Sequence, residues 1–286
     1  MTAYTLISTT PELASFRAYL VDQSIATVAM DFEGEYNLHV YGEKLCLIQV
    51  FDGKRYFAID PFKIATDELA ALLTDTKIAK LFYDANSDSK TVYKQYGFKL
   101  RQVVDLKMMV DVLGFEKRGL DAVLQTVLNI TVTGKGTFQR HNWTLRPIDP
   151  RAVDYALADV GHLFRLETEL RRLIAEAGKA AELQRFCIDK AIEYDRVPVP
   201  SIMRKPEYVS LRPVQKLLFA RILELRDQAA RELNWPPNSV FANDVIFQII
   251  KDRQRIGPAI FNARLPEKRR RELQASLLAL FDRPSA

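Results

Sequence analysis

The chain has 286 residues, of which 48% are hydrophobic and 27% charged, and this supply of apolar side chains excludes wholesale disorder. No stretch approaches the ~20 apolar residues of a membrane-spanning helix, and the first residues lack the pattern of a signal peptide, so we expect a cytoplasmic protein. With two distant cysteines and three histidines, the composition argues against a disulfide scaffold or a Cys-based zinc site, and any metal chemistry would rest mainly on carboxylates.

The charge is unevenly distributed along the chain. Residues 201–286 hold 16 Lys and Arg against 9 Asp and Glu, while residues 1–200 are slightly acidic. This asymmetry suggests a carboxylate-bearing body joined to a part that attracts polyanions, although a solvated basic surface explains the charge equally well.

The first two thirds of the chain alternate short apolar runs with helical patterns. The predicted strands are 25–30, 45–51, 55–59, 78–83 and 102–106. The predicted helices are 11–20, 66–73, 88–96, 108–114, 120–128 and 150–177. This order predicts an α/β domain over 1–195, with a mixed sheet flanked by helices.

A proline-rich segment follows this domain. Residues 196–210 predict a semi-rigid linker. The remaining helical patterns are 213–233, 243–252 and 267–280. Residues 211–286 therefore predict a small all-helical domain.

Asp31-Phe32-Glu33 ends the first predicted strand. Because strand side chains alternate, Asp31 and Glu33 face the same way. Two neighbouring carboxylates repel each other, which a structure tolerates when a cation lies between them. Taken alone, such a pair is more often an ordinary solvent-facing strand end.

Three further polar residues lie at comparable places. Asp88 opens the helix after the fourth strand, where its ordinary role is capping. Tyr155 and Asp159 are four residues apart, which places them on one face of a helix.

The order of these residues along the chain changes their meaning. Four carboxylates from three segments are expected to converge at one edge of the sheet. Oxygen ligands in that number suit Mg²⁺ or Mn²⁺ rather than zinc. Two such ions ~3.5–4 Å apart would contact both the attacking and the leaving oxygen of a phosphoryl group.

In this order the motifs resemble the DEDD superfamily of 3′–5′ exonucleases, in its Tyr-bearing branch, and within it the ribonuclease D family. The supporting segments beyond the acids are 45–53, 58–61, 80–88, 119–128, Phe138-Gln139, Trp143 and Arg146-Pro147. The part from Leu218 to Arg253 is similar to the small helical HRDC domain. The resemblance implies a ribonuclease H-like sheet domain followed by an HRDC-like nucleic-acid-binding domain.

The resemblance also implies an activity and roles for single residues. The activity is that of a metal-dependent 3′–5′ exoribonuclease, which trims the 3′ ends of tRNA precursors or small RNAs and releases nucleoside 5′-monophosphates. The implied ligands of two Mg²⁺ or Mn²⁺ ions are Asp31, Glu33, Asp88 and Asp159. Tyr155 is implied to orient the attacking water. The implied substrate contacts are Phe32 and Tyr83 beside the terminal nucleotides and Arg146 at a phosphate.

Other interpretations remain open at this point. A 3′–5′ exodeoxyribonuclease would have the same catalytic centre and differ only in how it treats the 2′-hydroxyl. A non-catalytic RNA-binding adaptor belongs to a different class, and the complete set of acids weighs against it. The expected partner is RNA with a free 3′ end, with no membrane and a monomeric state. The sequence does not determine the natural RNA or the preference between Mg²⁺ and Mn²⁺.

Overall fold

The structure, a computed structural model, describes residues 2–132, 138, 140–195 and 199–282 and divides into two compact units. The first unit comprises Met1–Glu35 and Glu43–Tyr194. The second comprises Tyr36–Gly42 together with Asp195–Ala286. The division near 195 lies where the sequence predicts a boundary, whereas the grouping of Tyr36–Gly42 with the second unit was not predicted.

A single six-stranded sheet forms the centre of the first unit. Its strands are β1 Tyr4–Ile7, β2 Thr27–Tyr36, β3 Glu43–Phe51, β4 Tyr56–Ile59, β5 Ala79–Phe82 and β6 Val103–Asp105. They lie in the order β1-β4-β3-β2-β5-β6. β3 and β4 are antiparallel, while β1 pairs with β4, β2 with β5, and β5 with β6 in parallel. With the helices described next, this confirms the predicted mixed sheet flanked by helices.

Two strands differ from the prediction. β1 was not predicted, because it is a four-residue edge strand with two exposed residues and so has no continuous apolar run. β2 is longer than predicted, so Asp31 and Glu33 lie inside the strand rather than at its end. Since Ala29 is paired with Leu81 and β5 ends at Phe82, both acids lie beyond the carboxyl end of β5.

Helices cover both faces of the sheet. They are α1 Thr10–Asp22, α2 Thr66–Leu73, α3 Asn86–Tyr96, α4 Leu106–Leu113, α5 Leu120–Leu128, α6 Pro150–Leu157, α7 Leu163–Glu176 and α8 Ala180–Asp189. Buried side chains of α1, α2 and α3 pack on one face, and those of α4 to α7 pack on the other. On β2, Val28 and Met30 join the first core and Ala29 joins the second. By strand alternation, Asp31 and Glu33 project on the side of α4 to α7.

The helical predictions for this unit needed two corrections. The single helix predicted over 150–177 is interrupted at residues 158–162, which separate α6 from α7. α8 was not predicted, and none of its described residues is buried.

The second unit is helical. Its helices are α9 Pro206–Val209, α10 Pro213–Leu233, α11 Pro237–Val240, α12 Asn243–Lys251 and α13 Glu267–Asp282. Part of the predicted linker is folded, because Ile202 is buried and Tyr208 packs against the core of this unit, whereas 196–198 lie outside the described residues. Within Tyr36–Gly42, the Tyr41 hydroxyl donates a hydrogen bond to Asp227 at 2.8 Å. Among the described residues, no helix is both long enough and apolar enough to cross a membrane.

Lys80 on β5 is a charged residue within the core. Its side chain is fully buried and donates to the backbone carbonyl of Asp75. Burial lowers the pKa of Lys80 from 10.5 to about 8. The folded protein therefore releases this proton before the unfolded chain does, and the destabilisation due to Lys80 is greatest below pH 8 and disappears as the pH rises toward 10.5.

We expect Lys80→Met to raise the free energy of unfolding by about 1–3 kcal/mol at pH 7, because one pKa unit corresponds to about 1.4 kcal/mol. The gain should shrink as the pH rises from 8 to 10. Urea unfolding at both ends of this range measures it, and Lys77→Met, at an exposed position, is the control. An equal pH dependence for the wild type and Lys80→Met would contradict the argument.

Candidate metal centre

Three carboxylates come together on the α4 to α7 side of the sheet. Asp31, Glu33 and Asp159 each offer an oxygen atom, and these atoms all lie within 4.8 Å of one another. All three residues are half-buried. β2 supplies the first two through its alternation, and the connection between α6 and α7 supplies the third.

Asp159 reaches this place because α6 ends just before it. The helix begins after Asp149, whose carboxylate accepts the N–H of Arg151, and it ends at Leu157. The N–H of Asp159 then donates to the carbonyl of Ala156, three residues back, at 3.2 Å. The sequence placed Asp159 on a continuous helix with Tyr155; the structure instead places it in the tighter turn that follows.

The same turn lies close to the sheet at Gly161. A β-carbon on Gly161 would lie 2.5 Å from the hydroxyl oxygen of Tyr56 on β4. This distance is too short for a contact, so a side chain at residue 161 would have to displace the Tyr56 hydroxyl, and glycine avoids that displacement. The turn that carries Asp159 thus lies close to a side chain of β4.

Asp88 lies in the first turn of α3 and is buried, with 6% of its surface exposed. Burial raises the pKa of Asp88 well above its ordinary value, and the charges of Asp31 and Glu33 raise it further. The fourth predicted acid therefore lies in the electrostatic field of the cluster. The sequence allowed a capping role for Asp88, but the N-cap position of α3 is Ala85.

The chemistry of the cluster fits a hard divalent cation. Carboxylates this close repel one another unless a positive charge compensates them. Carboxylate oxygens are the ligands that Mg²⁺ and Mn²⁺ prefer, whereas zinc favours nitrogen and sulfur. In the part of the chain that the structure describes, this is the one cluster of three or more acidic, histidine or cysteine side chains with this spacing.

Tyr155 lies on α6 and is half-buried. Its ring packs against the core between α6 and the sheet, and the ring centroid is 5.7 Å from that of Phe138. This packing fixes the ring at the end of α6, just before the turn that carries Asp159. The water-orienting role of its hydroxyl stays a prediction.

Two of the predicted substrate contacts have well-defined partners within the protein. Phe32 is buried, with 7% exposed, and meets Phe82 edge to face at 5.2 Å in the α1 to α3 core. The alternation that orients Asp31 and Glu33 toward one face turns Phe32 to the other, and its contact with a terminal nucleotide stays a prediction.

Arg146 is the second of these residues. Its guanidinium donates to both carboxylate oxygens of Asp60, at 2.5 and 2.9 Å, and to the carbonyls of Cys46 and Trp143. Every nitrogen of the group therefore has a partner within the protein. Arg146 holds its own segment against the sheet, and its contact with a phosphate stays a prediction.

Tyr83, the third predicted contact, directly follows β5. Its ring packs against the core formed by α4, α5 and α7, and its hydroxyl donates to the carbonyl of Arg118. Burial raises the pKa of Tyr83, and the charge of Asp111 adds to the effect. Its place beside a terminal nucleotide stays a prediction.

Asp105, at the end of β6, was not among the predicted site residues. Its carboxylate accepts backbone N–H groups from Asp84 at 2.8 Å and from Ala85 at 3.0 Å, in the connection that leads to Asp88. The sequence signal that could have identified Asp105 is its position as an acid at the end of a short apolar run. That run forms β6, which pairs with β5, the strand that precedes Asp88.

Comparison with known proteins adds independent findings. A family model described as 3′–5′ exonuclease matches residues 4–175. The ribonuclease D of Nitrobacter hamburgensis is 26% identical over 253 residues, which cover 85% of this chain and 64% of that protein. The chain therefore spans slightly less than two thirds of the length of this curated relative.

Two solved structures are similar along almost the whole chain. Escherichia coli RNase D, described as an exoribonuclease involved in structured RNA processing, is 22% identical with a TM-score of 0.74 and is matched over 98% of this chain and 75% of its own. The catalytic core of RRP6 from Trypanosoma brucei is 19% identical with a TM-score of 0.79, over 99% of this chain and 79% of its own. At these identities the likeness establishes the fold.

Proposed function

The chain belongs to the 3′–5′ exonuclease family, and from this we propose that it is a metal-dependent exoribonuclease that removes nucleotides from RNA 3′ ends as nucleoside 5′-monophosphates. The observation that carries the proposal is the carboxylate cluster of Asp31, Glu33 and Asp159, which lies within the part matched by the family model. The relatives named ribonuclease D favour RNA over DNA as the substrate.

The acids have distinct places in this proposal. We assign a first Mg²⁺ or Mn²⁺ ion to Asp31, Glu33 and Asp159. We assign a second ion to Asp31 together with the buried Asp88. When bound, such ions lower the pKa of water and stabilise negative charge on phosphate oxygens. The Tyr155 hydroxyl is the group we assign to orienting the attacking water.

Recognition of the RNA is assigned to the basic second unit. Residues 201–286 carry a net charge of +7, which favours a polyanion. Within the run Lys268-Arg269-Arg270-Arg271, Arg269 pairs with Glu232 and Glu272, and Arg271 pairs with Glu267. Part of this run is therefore neutralised locally, and the proposal rests on the charge of the whole unit rather than on these four residues.

The setting of the protein is also a proposal. Cys46 and Cys187 are free thiols, which is in keeping with a reducing cytoplasm. The monomeric state stays a prediction.

The first test uses two single strands of the same sequence, one RNA and one DNA, each labelled at its 5′ end. We expect a ladder that shortens from the 3′ end with Mg²⁺ or Mn²⁺, that vanishes with a chelator, and that is much stronger on RNA. The chelator should stop the reaction because it removes the ions that would lower the pKa of water and stabilise charge on the phosphate oxygens.

The other outcomes of this test separate the alternatives. A ladder mainly on DNA would indicate an exodeoxyribonuclease with the same centre. Retained RNA binding without a ladder on either strand, with every metal tried, would indicate an adaptor and overturn the proposal.

A further inference from the structure

The connection between β5 and α3 sets the position of Asp88. β5 ends at Phe82, α3 begins at Asn86, and Asp88 follows within the first helical turn. Any displacement of this short connection is therefore transmitted directly to the Asp88 carboxylate.

The Ala85 side chain packs in the first core, but the backbone of this connection is unusual. Asp84 adopts a left-handed backbone conformation with φ of 67°, which is uncommon for a residue other than glycine. Ala85 occupies the N-cap position of α3, and its side chain makes no capping hydrogen bond to the helix. The first N–H groups of this connection consequently need acceptors from another element.

Asp105 supplies those acceptors from the neighbouring strand. It is paired with Phe82, so it stands beside the last residue of β5 where the sheet ends. One carboxylate oxygen accepts the N–H of Asp84 at 2.8 Å, and the other accepts the N–H of Ala85 at 3.0 Å. The N–H of Lys107 adds a third bond at 3.0 Å, which ties the same carboxylate to the start of α4.

We infer that Asp105 is a positioning residue, whose carboxylate fixes the β5 to α3 connection and thereby sets the position of Asp88 relative to Asp31 and Glu33. All three N–H donors require an acceptor, and a carboxylate is the side chain that offers only acceptors. The expected effect on hydrolysis rests on the proposed function. The expected effect on metal binding depends only on the geometry of the four acids.

The test compares Asp105→Ala with Asp52→Ala. Asp52 is a matched control, because its carboxylate accepts the N–H groups of Lys54 at 2.8 Å and Arg55 at 2.6 Å and a bond from the Tyr19 hydroxyl. It holds the turn between β3 and β4, to which no catalytic role is assigned. Both variants lose one negative charge and one turn-fixing carboxylate.

We expect Asp105→Ala to lower kcat on RNA by about 10–100-fold and to weaken Mn²⁺ binding to the metal-free protein by a similar factor, with KM for RNA within about twofold. Asp52→Ala should keep both kcat and Mn²⁺ affinity within about twofold of wild type. Single-turnover kinetics and calorimetric Mn²⁺ titration measure the two effects, and thermal unfolding shows that each variant is folded.

A second variant covers the case in which Asp105→Ala does not fold. Asp105→Asn keeps one acceptor oxygen, so it should fall between wild type and Asp105→Ala in both measurements. Wild-type kcat and Mn²⁺ affinity in Asp105→Ala or, if that variant is unfolded, in Asp105→Asn would overturn the positioning role, as would equal losses in Asp52→Ala. If the wild type binds Mn²⁺ but hydrolyses no RNA, the proposed function fails, and the Mn²⁺ titrations alone then decide the role of Asp105.

Discussion

Asp31→Asn should abolish RNA hydrolysis and leave the protein folded. Asp31 is one of the three carboxylates within 4.8 Å of one another, and its charge also acts on Asp88. Replacing it with a neutral amide removes a ligand charge, and bound metal stabilises the transition state by several kcal/mol. Since about 1.4 kcal/mol corresponds to a factor of ten, we expect a loss of about a thousandfold or more in kcat.

The same substitution should not weaken the metal-free fold. Removing one of three mutually repelling carboxylates relieves repulsion, so we expect the melting temperature without metal to stay the same or rise. Asp84→Asn is the control, because Asp84 is an exposed acid near Asp88 and asparagine tolerates its left-handed backbone. We expect it to retain activity within about twofold. Near wild-type trimming by Asp31→Asn would remove Asp31 from the ligand set.

The parts of this site that follow strand periodicity were predictable from the sequence. The two-residue repeat of a strand places Asp31 and Glu33 on one face, and the structure shows them together. The same repeat places Phe32 on the opposite face, so its burial followed from the sequence as well, although the resemblance implied a substrate contact instead.

Features that depend on distant contacts were not predictable. The interruption between α6 and α7 has no proline, and the contact of Gly161 with the Tyr56 hydroxyl becomes visible only when the chain is folded. The partner of Arg146 is Asp60, 86 residues earlier in the chain. Asp105 accepts hydrogen bonds from backbone N–H groups about 20 residues away. Nearly every residue has such a group, so the amino-acid sequence does not indicate which of them bind Asp105.

Tyr155→Phe is expected to lower kcat by about a hundredfold without changing KM for RNA or the affinity for Mn²⁺, because a positioned proton-transfer or water-orienting group contributes on that order. The ring should stay in place, since its packing against the α6 core and Phe138 does not use the hydroxyl. Single-turnover rates and Mn²⁺ titration measure the two quantities.

A matched control for this substitution lies in the same cluster. Tyr4 on β1 packs against the same core as Tyr155, so Tyr4→Phe deletes a hydroxyl from a ring packed on the same core and should leave kcat unchanged. Loss of kcat with intact Mn²⁺ binding would distinguish Tyr155 from the acids. Asp31→Asn removes an assigned metal ligand, so we expect that variant to lose Mn²⁺ affinity as well as kcat. Full activity of Tyr155→Phe would mean that the attacking water is oriented without this hydroxyl, and the acids would then have to supply the whole of that function.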